Sequence, residues 1–158
     1  MSFLRYLMLL SLIVWLGGLI FFAFVLAPTL FSVVPSRHLA GNVVGRSLGA
    51  LHWMGIISGL VFLMSSLAYN RLSRGTFGVL GARHVLICLM LVLTLTSQFG
   101  IMPRMDSLRA SIGGEIDSAP VDSPARVQFD ALHVWSTRVE GGVLLLGLVV
   151  VYVTASDF

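Results

Sequence analysis

Four long apolar stretches constrain the fold of this 158-residue chain more than any other feature of its sequence. The hydrocarbon core of a bilayer is about 30 Å thick, and a helix needs about 20 residues to cross it. Only 11% of the residues are charged, whereas soluble domains contain about 25%. We therefore predict an all-α protein, a four-helix transmembrane bundle that forms a single domain over residues 1–158, with both termini on the same side. The predicted spans are at about residues 6–27, 46–69, 84–102 and 133–155.

Prolines and glycines mark the ends of the predicted spans. Pro28 is expected to end the first span and Pro103 the third, because proline disrupts a helix interior. Residues 103–128 are predicted as the longest loop, since Gly113 and Gly114 lie within it and glycine pairs favour turns. The arginines are divided almost equally between the two sides, and the shorter segments on the terminal side favour cytoplasmic termini.

The predicted location is a bacterial cytoplasmic membrane, and the lipid bilayer is the first expected partner. The net charge is only +3, and all ten basic residues are arginines. The sequence contains no basic cluster and no alternation of basic and aromatic residues. Nucleic acid is therefore not an expected partner.

A polar stripe precedes the last apolar run. At about 100° per residue, one narrow face of a helix collects five polar residues. They are Arg126, Asp130, His133, Thr137 and Glu140. The apolar run that follows has about 15 residues, roughly 22 Å of helix, which is too short to cross the hydrocarbon core. The last helix must therefore carry Glu140 towards the membrane, where ionisable residues are costly and usually functional.

His52 is the second polar residue that the sequence places inside a span. Its buried imidazole needs a hydrogen-bond partner, and Glu140 is predicted to lie at a similar depth. Gln98 and Met102 of the third span belong to the same half of the bundle. We predict that Asp130, His133, Thr137 and Glu140 face inward and that His52 meets them. Three alternatives follow for this pocket: a structural hydrogen-bond network, a site for a metal, haem or another small ligand, or a proton relay.

Glycines in the first two spans are predicted to pack helices closely, because small residues let helix backbones approach each other in lipid. These glycines are Gly17, Gly18, Gly45, Gly49, Gly55 and Gly59. Three tryptophans are predicted to face lipid or a partner protein: Trp15, Trp53 and Trp135.

Several short motifs resemble a known family. Residues 15–31 read Trp-Leu-Gly-Gly-Leu-Ile-Phe-Phe-Ala-Phe-Val-Leu-Ala-Pro-Thr-Leu-Phe, and Pro35, residues 40–45, Phe129, His133 and Ser136 follow. This pattern resembles the four-span domain-of-unknown-function family that includes a human transmembrane protein linked to platinum-drug resistance. It is more distantly similar to bacterial copper-resistance membrane domains. The resemblance implies a fold and a membrane location. Glu140 stands where members of that family often have asparagine.

Two functions remain open from the sequence, and neither is enzymatic. The leading hypothesis is an accessory or assembly subunit that packs against other membrane proteins in a larger complex, such as a respiratory or photosynthetic one. The alternative is a protein that binds or handles copper or haem. Imidazole and thioether groups are ligands that copper(I) accepts, and two histidines can ligate haem. The residues proposed for this site are His52, His133, Met102 and Glu140.

Overall fold

Four long helical segments make up the structure. The computed structural model describes residues 2–75, 78 and 81–156, and this part of the chain contains helices and turns but no strand. The helices are α1 (Ser2–Phe21), α2 (Ala27–Val33), α3 (Arg37–Arg74), α4 (Ala82–Thr96), α5 (Met102–Ser111) and α6 (Pro124–Ser156). The four segments long and apolar enough to cross a membrane are Ser2–Val33, Arg37–Ser73, Ala82–Ser111 and Pro124–Ser156. The predicted all-α, four-helix membrane architecture is therefore confirmed.

The first and third segments continue past the prolines that were expected to end them. A π-helical turn, Phe22–Leu26, joins α1 to α2, and a second one, Ser97–Ile101, joins α4 to α5. A proline in a regular α-helix lacks the N–H donor and clashes with the carbonyl four residues earlier. A π-helical turn changes that local register, and the helix then resumes around Pro28 and Pro103.

The predicted loop over residues 103–128 is largely helical. It contains α5, a 3-10 turn at Ile116–Ser118 and the first turn of α6. The second segment also begins earlier than its predicted span, because the side chain of Ser36 caps α3 by accepting a hydrogen bond from the backbone N–H of Leu39. It ends at Gly75, whose positive φ of 70° suits glycine.

The core forms where α1 packs against α3 and α6, and where α4 packs against the same two helices. Its buried side chains in α1 recur every three or four residues, as expected for one face of a helix. They are Met8, Leu12, Trp15, Leu16 and Leu19. Trp15 is only 2% exposed, so its predicted position at the lipid or at a partner is wrong. The other two tryptophans agree with that prediction, because Trp53 is 51% exposed and Trp135 is 58% exposed.

Trp15 is inside because two glycines of α3 make room for it. A Cβ atom at Gly55 would lie 2.8 Å from the Cε2 atom of the indole ring, and one at Gly59 would lie 2.9 Å from its Cζ3 atom. A third glycine, Gly18 of α1, would bring a Cβ atom 2.7 Å from Leu51 Cδ1. The helices therefore approach each other closely at these three glycines.

The other predicted packing glycines behave differently. A Cβ atom at Gly49 would make ordinary contact with the Met102 methyl group at 3.5 Å. Gly17 and Gly45 have no described atom within 4 Å of a Cβ position, so no described helix packs closely against either glycine. The sequence analysis missed Gly147 in α6, where a Cβ atom would lie 3.1 Å from Met90 Cε. Close packing thus involves α6 as well as the first two segments.

Gly55→Ala should destabilise the bundle, although alanine favours helix formation over glycine by about 1 kcal/mol. The added methyl group collides with the rigid indole of Trp15, and overpacking costs about 1–3 kcal/mol. Gly45→Ala is the matched control, because it lies in the same helix with open space around its Cβ position. Thermal unfolding in mild detergent should show a lower midpoint for Gly55→Ala only. Equal midpoints for the two variants would contradict the packing of Trp15 described above.

Candidate functional site

The side chain of His52 connects three helices inside the bundle. It lies in α3 with 1% of its surface exposed. Its Nδ1 atom is 2.8 Å from Oε1 of Gln98, and its Nε2 atom is 2.7 Å from Oε1 of Glu140. Gln98 belongs to the π-helical turn after α4, and Glu140 belongs to α6. The sequence-based pairing of His52 with Glu140 is present, and we call the three side chains the polar bridge.

Both imidazole nitrogens face oxygen atoms in the polar bridge, and a neutral histidine has only one N–H donor. The tautomer of His52 and the orientation of the Gln98 amide together decide which group donates in each hydrogen bond. Both ring nitrogens have a partner, and this reduces the cost of burying the imidazole.

Two further buried hydroxyl groups lie on α4 and its π-helical turn, close to Gln98 in sequence. Thr94 is 1% exposed and Ser97 is 0% exposed. Neither hydroxyl has a hydrogen-bond partner within the part of the chain that the structure describes. Neither residue was predicted from the sequence, although Thr94 and Ser97 continue the three- and four-residue spacing of the apolar residues Ile87, Met90 and Leu91.

The polar stripe of α6 does not face inward as a whole. Asp130, His133 and Thr137 are exposed, and only Glu140 is partly buried, at 15% exposure. The buried face of α6 includes Phe129, Ser136 and Val143. At about 100° per residue, that face lies about 80° around the helix from the middle of the stripe. Glu140 is on the edge of the stripe nearest to the core, so it alone reaches His52.

Arg126, the first residue of the stripe, holds the preceding turn in place. Its Nη1 atom donates hydrogen bonds to the backbone carbonyl oxygens of Ala119, at 2.9 Å, and Asp117, at 3.2 Å. Its Nη2 atom lies 3.6 Å from the Asp117 carboxylate. Arg126 therefore ties the 3-10 turn to the start of α6 and is not part of an inward-facing site.

Of the four residues proposed to bind copper or haem, His52 and Glu140 are in contact, whereas His133 lies apart from them. His52 already uses both ring nitrogens, and His133 lies on the exposed face of α6. Met102 is half-buried and its methyl group packs over Gly49, one turn before His52. Over residues 2–75, 78 and 81–156, no group of three histidine, cysteine, aspartate or glutamate residues could hold a metal ion. The four proposed residues therefore do not converge on one site in the structure.

A second polar cluster lies where α3, α5 and α6 meet. The Nη1 atom of Arg109 donates to Oδ1 of Asn42 at 3.1 Å, and the guanidinium lies 5.3 Å from the ring centroid of Phe129. The Nδ2 atom of Asn42 lies 3.0 Å from Nε2 of His38. The sequence analysis missed this cluster because it placed Arg109 in a loop. The cluster holds α5 against the bundle beyond the polar bridge.

Comparison with known families places the chain. The family described as Domain of unknown function (DUF4149) matches residues 10–113, about two thirds of the sequence, and the chain belongs to this family. The matched region includes His52 and Gln98 but ends before Glu140. No curated protein and no solved structure matches the chain. The resemblance to a human protein linked to drug resistance, and to copper-resistance domains, stays a prediction.

His52→Ala should destabilise the bundle, because it leaves Gln98 and Glu140 without their partner. A double-mutant cycle with Glu140→Ala should give a coupling energy of about 1–2 kcal/mol, the upper range for hydrogen bonds between membrane helices. The measurement is reversible unfolding in mixed micelles. His133→Ala is the control and should leave the stability unchanged, since that side chain is exposed. Additive effects of the two bridge variants would show that their side chains do not interact.

Proposed function

We propose that this member of the DUF4149 family is a non-enzymatic accessory or assembly subunit that packs against another integral membrane protein through α6. One observation carries the proposal. α6 presents a face that the other described helices leave uncovered, although polar and small residues lie along it. These residues are Asp130, His133, Thr137 and Gly141, and all four are exposed. We call them the outer face of α6.

The chemistry of the outer face of α6 suits contact with another helix. In lipid, small residues allow close approach and polar side chains form hydrogen bonds between helices. Gly141 has no described atom within 4 Å of a Cβ position, so a partner backbone can approach it. Thr137 donates its hydroxyl hydrogen to the carbonyl oxygen of His133, and its oxygen remains able to accept a hydrogen bond from a partner.

The depth of the outer face of α6 supports the same proposal. Thr137 lies three residues before Glu140, about 4.5 Å along the helix, and Glu140 lies deep enough to pair with His52 in α3. A polar residue this close to the hydrocarbon core is better satisfied by a protein than by lipid. The polar bridge supports a packing role too, since it holds α6 at a fixed position relative to α3 and α4.

Copper or haem binding is the weaker candidate, because His133 and His52 do not share a site. Ligation by His52 would first require it to release Gln98 or Glu140. An absorption spectrum and a metal analysis of the protein purified in mild detergent test this candidate. A haem absorption band or stoichiometric copper that is lost in His52→Ala would favour it over the subunit proposal.

Site-specific photocrosslinking tests the subunit proposal. A photoreactive residue at Thr137 or Gly141 should form crosslinks to another protein in the native membrane. The same residue at Ile13, which is 67% exposed on α1, should crosslink to lipid.

Gly141→Leu should weaken association with the crosslinked partner at least tenfold, because a bulky side chain separates the two helices. Gly17→Leu, at a glycine with equally open surroundings, should have no effect. Crosslinks at Ile13 and Thr137 to the same extent, or an unaffected Gly141→Leu complex, would contradict the proposal.

A further inference from the structure

A groove with one apolar and one polar end lies on the outside of the bundle. It runs between α6 and the segment formed by the π-helical turn and α5, and its volume is about 630 Å³. Phe99, Gly100 and Leu132 line its apolar end, and Arg104, Ser107 and Gln128 line its polar end. We call this cavity the Arg104 groove. Its size falls within the range of small-molecule sites, about 300–1,000 Å³.

Arg104 differs from the other arginines near it. Arg109 and Arg126 make hydrogen bonds, and the guanidinium of Arg138 lies 5.5 Å from the ring centroid of Trp135. Within the described part of the chain, Arg104 has no hydrogen bond, ion pair or ring contact. A guanidinium group offers five N–H donors in a planar fork that matches phosphate geometry. The Arg104 groove therefore carries a positive charge that is available to an anion.

The position of Arg104 along the helix places it at the level of the lipid headgroups. The apolar stretch of the third span ends at about residue 102, two residues earlier. Arg104 lies six residues beyond Gln98, about 9 Å along the helix axis from the polar bridge. The apolar end of the groove lies on the hydrocarbon side of Arg104, since Phe99 and Gly100 precede it in the same segment. The polar end of the groove thus lies towards the membrane surface and its apolar end towards the hydrocarbon core, as the headgroup and acyl chains of a phospholipid do.

We propose that the Arg104 groove binds one anionic phospholipid. The phosphate pairs with the guanidinium of Arg104, and the side chains of Ser107 and Gln128 provide further hydrogen-bond donors at the same end. An acyl chain lies along Phe99, Gly100 and Leu132. A basic residue near the membrane surface favours an anionic over a neutral headgroup by about fivefold. The groove uses a different side of α6 from the outer face of α6, so this inference does not rest on the subunit proposal.

Native mass spectrometry of the delipidated full chain tests the proposal. The protein is titrated with phosphatidylglycerol or with phosphatidylcholine of the same acyl chains, and the first binding event is compared. We expect about a fivefold preference for phosphatidylglycerol, which Arg104→Gln abolishes. Arg46→Gln is the matched control. Arg46 is an exposed arginine six residues before His52, so it lies at a similar depth on the same side but does not line the groove.

A second variant tests the shape of the groove separately from its charge. Ala131 lines the groove and is exposed, so Ala131→Phe fills the cavity without disturbing the core. It should reduce the first binding event for both lipids. Three results would overturn the proposal: equal affinity for the two lipids, the same loss in Arg46→Gln as in Arg104→Gln, or unchanged binding in Ala131→Phe.

Discussion

The arrangement of this bundle depends on one buried imidazole that must be hydrogen-bonded on both sides. His52 cannot turn to water from its position in α3, and an unpaired polar group in hydrocarbon costs several kcal/mol. Gln98 and Glu140 meet this requirement from two other helices. The same contact sets the depth of α6, and therefore which residues of that helix lie near the membrane surface.

Pro28 and Pro103, which lie inside the first and third helical segments, explain the two π-helical turns of the structure. Each π-helical turn ends two residues before its proline, at Leu26 before Pro28 and at Ile101 before Pro103. The wider turn lets the helix continue, so α5 carries Arg104 to the membrane surface and Arg109 beyond it as part of one continuous helical segment. The second turn also contains Gln98. The backbone distortion that accommodates Pro103 therefore helps to orient one partner of His52, in line with the frequent use of π-helical turns at functional sites.

The pairing of His52 with Glu140 could be predicted from the sequence because it follows from the length of the last apolar run and the depth of the two residues. The last apolar run is too short to cross a bilayer, so Glu140 had to approach the depth of His52. Whether the polar stripe faces the core or the outer surface of the bundle could not be predicted in the same way. Periodicity shows that Asp130, His133 and Thr137 share a face, but in lipid the core and the outer surface are equally apolar. For the same reason, nothing in the residue types showed that Trp15 lies inside.

The buried polar side chains of α4 lie near its two ends. Arg83 and His84 are buried at one end, and Arg83 donates a hydrogen bond to Asn70 at 2.7 Å. Thr94 lies ten residues after His84, about 15 Å along the helix. Between them α4 buries only apolar side chains, and these belong to the same apolar cluster as Phe62 and Val150. The neighbouring helices α1 and α3 also bury serines, among them Ser11, Ser58 and Ser65. The polar bridge lies in the same half of the bundle as the outer face of α6 and the Arg104 groove, so these three features lie towards one membrane surface.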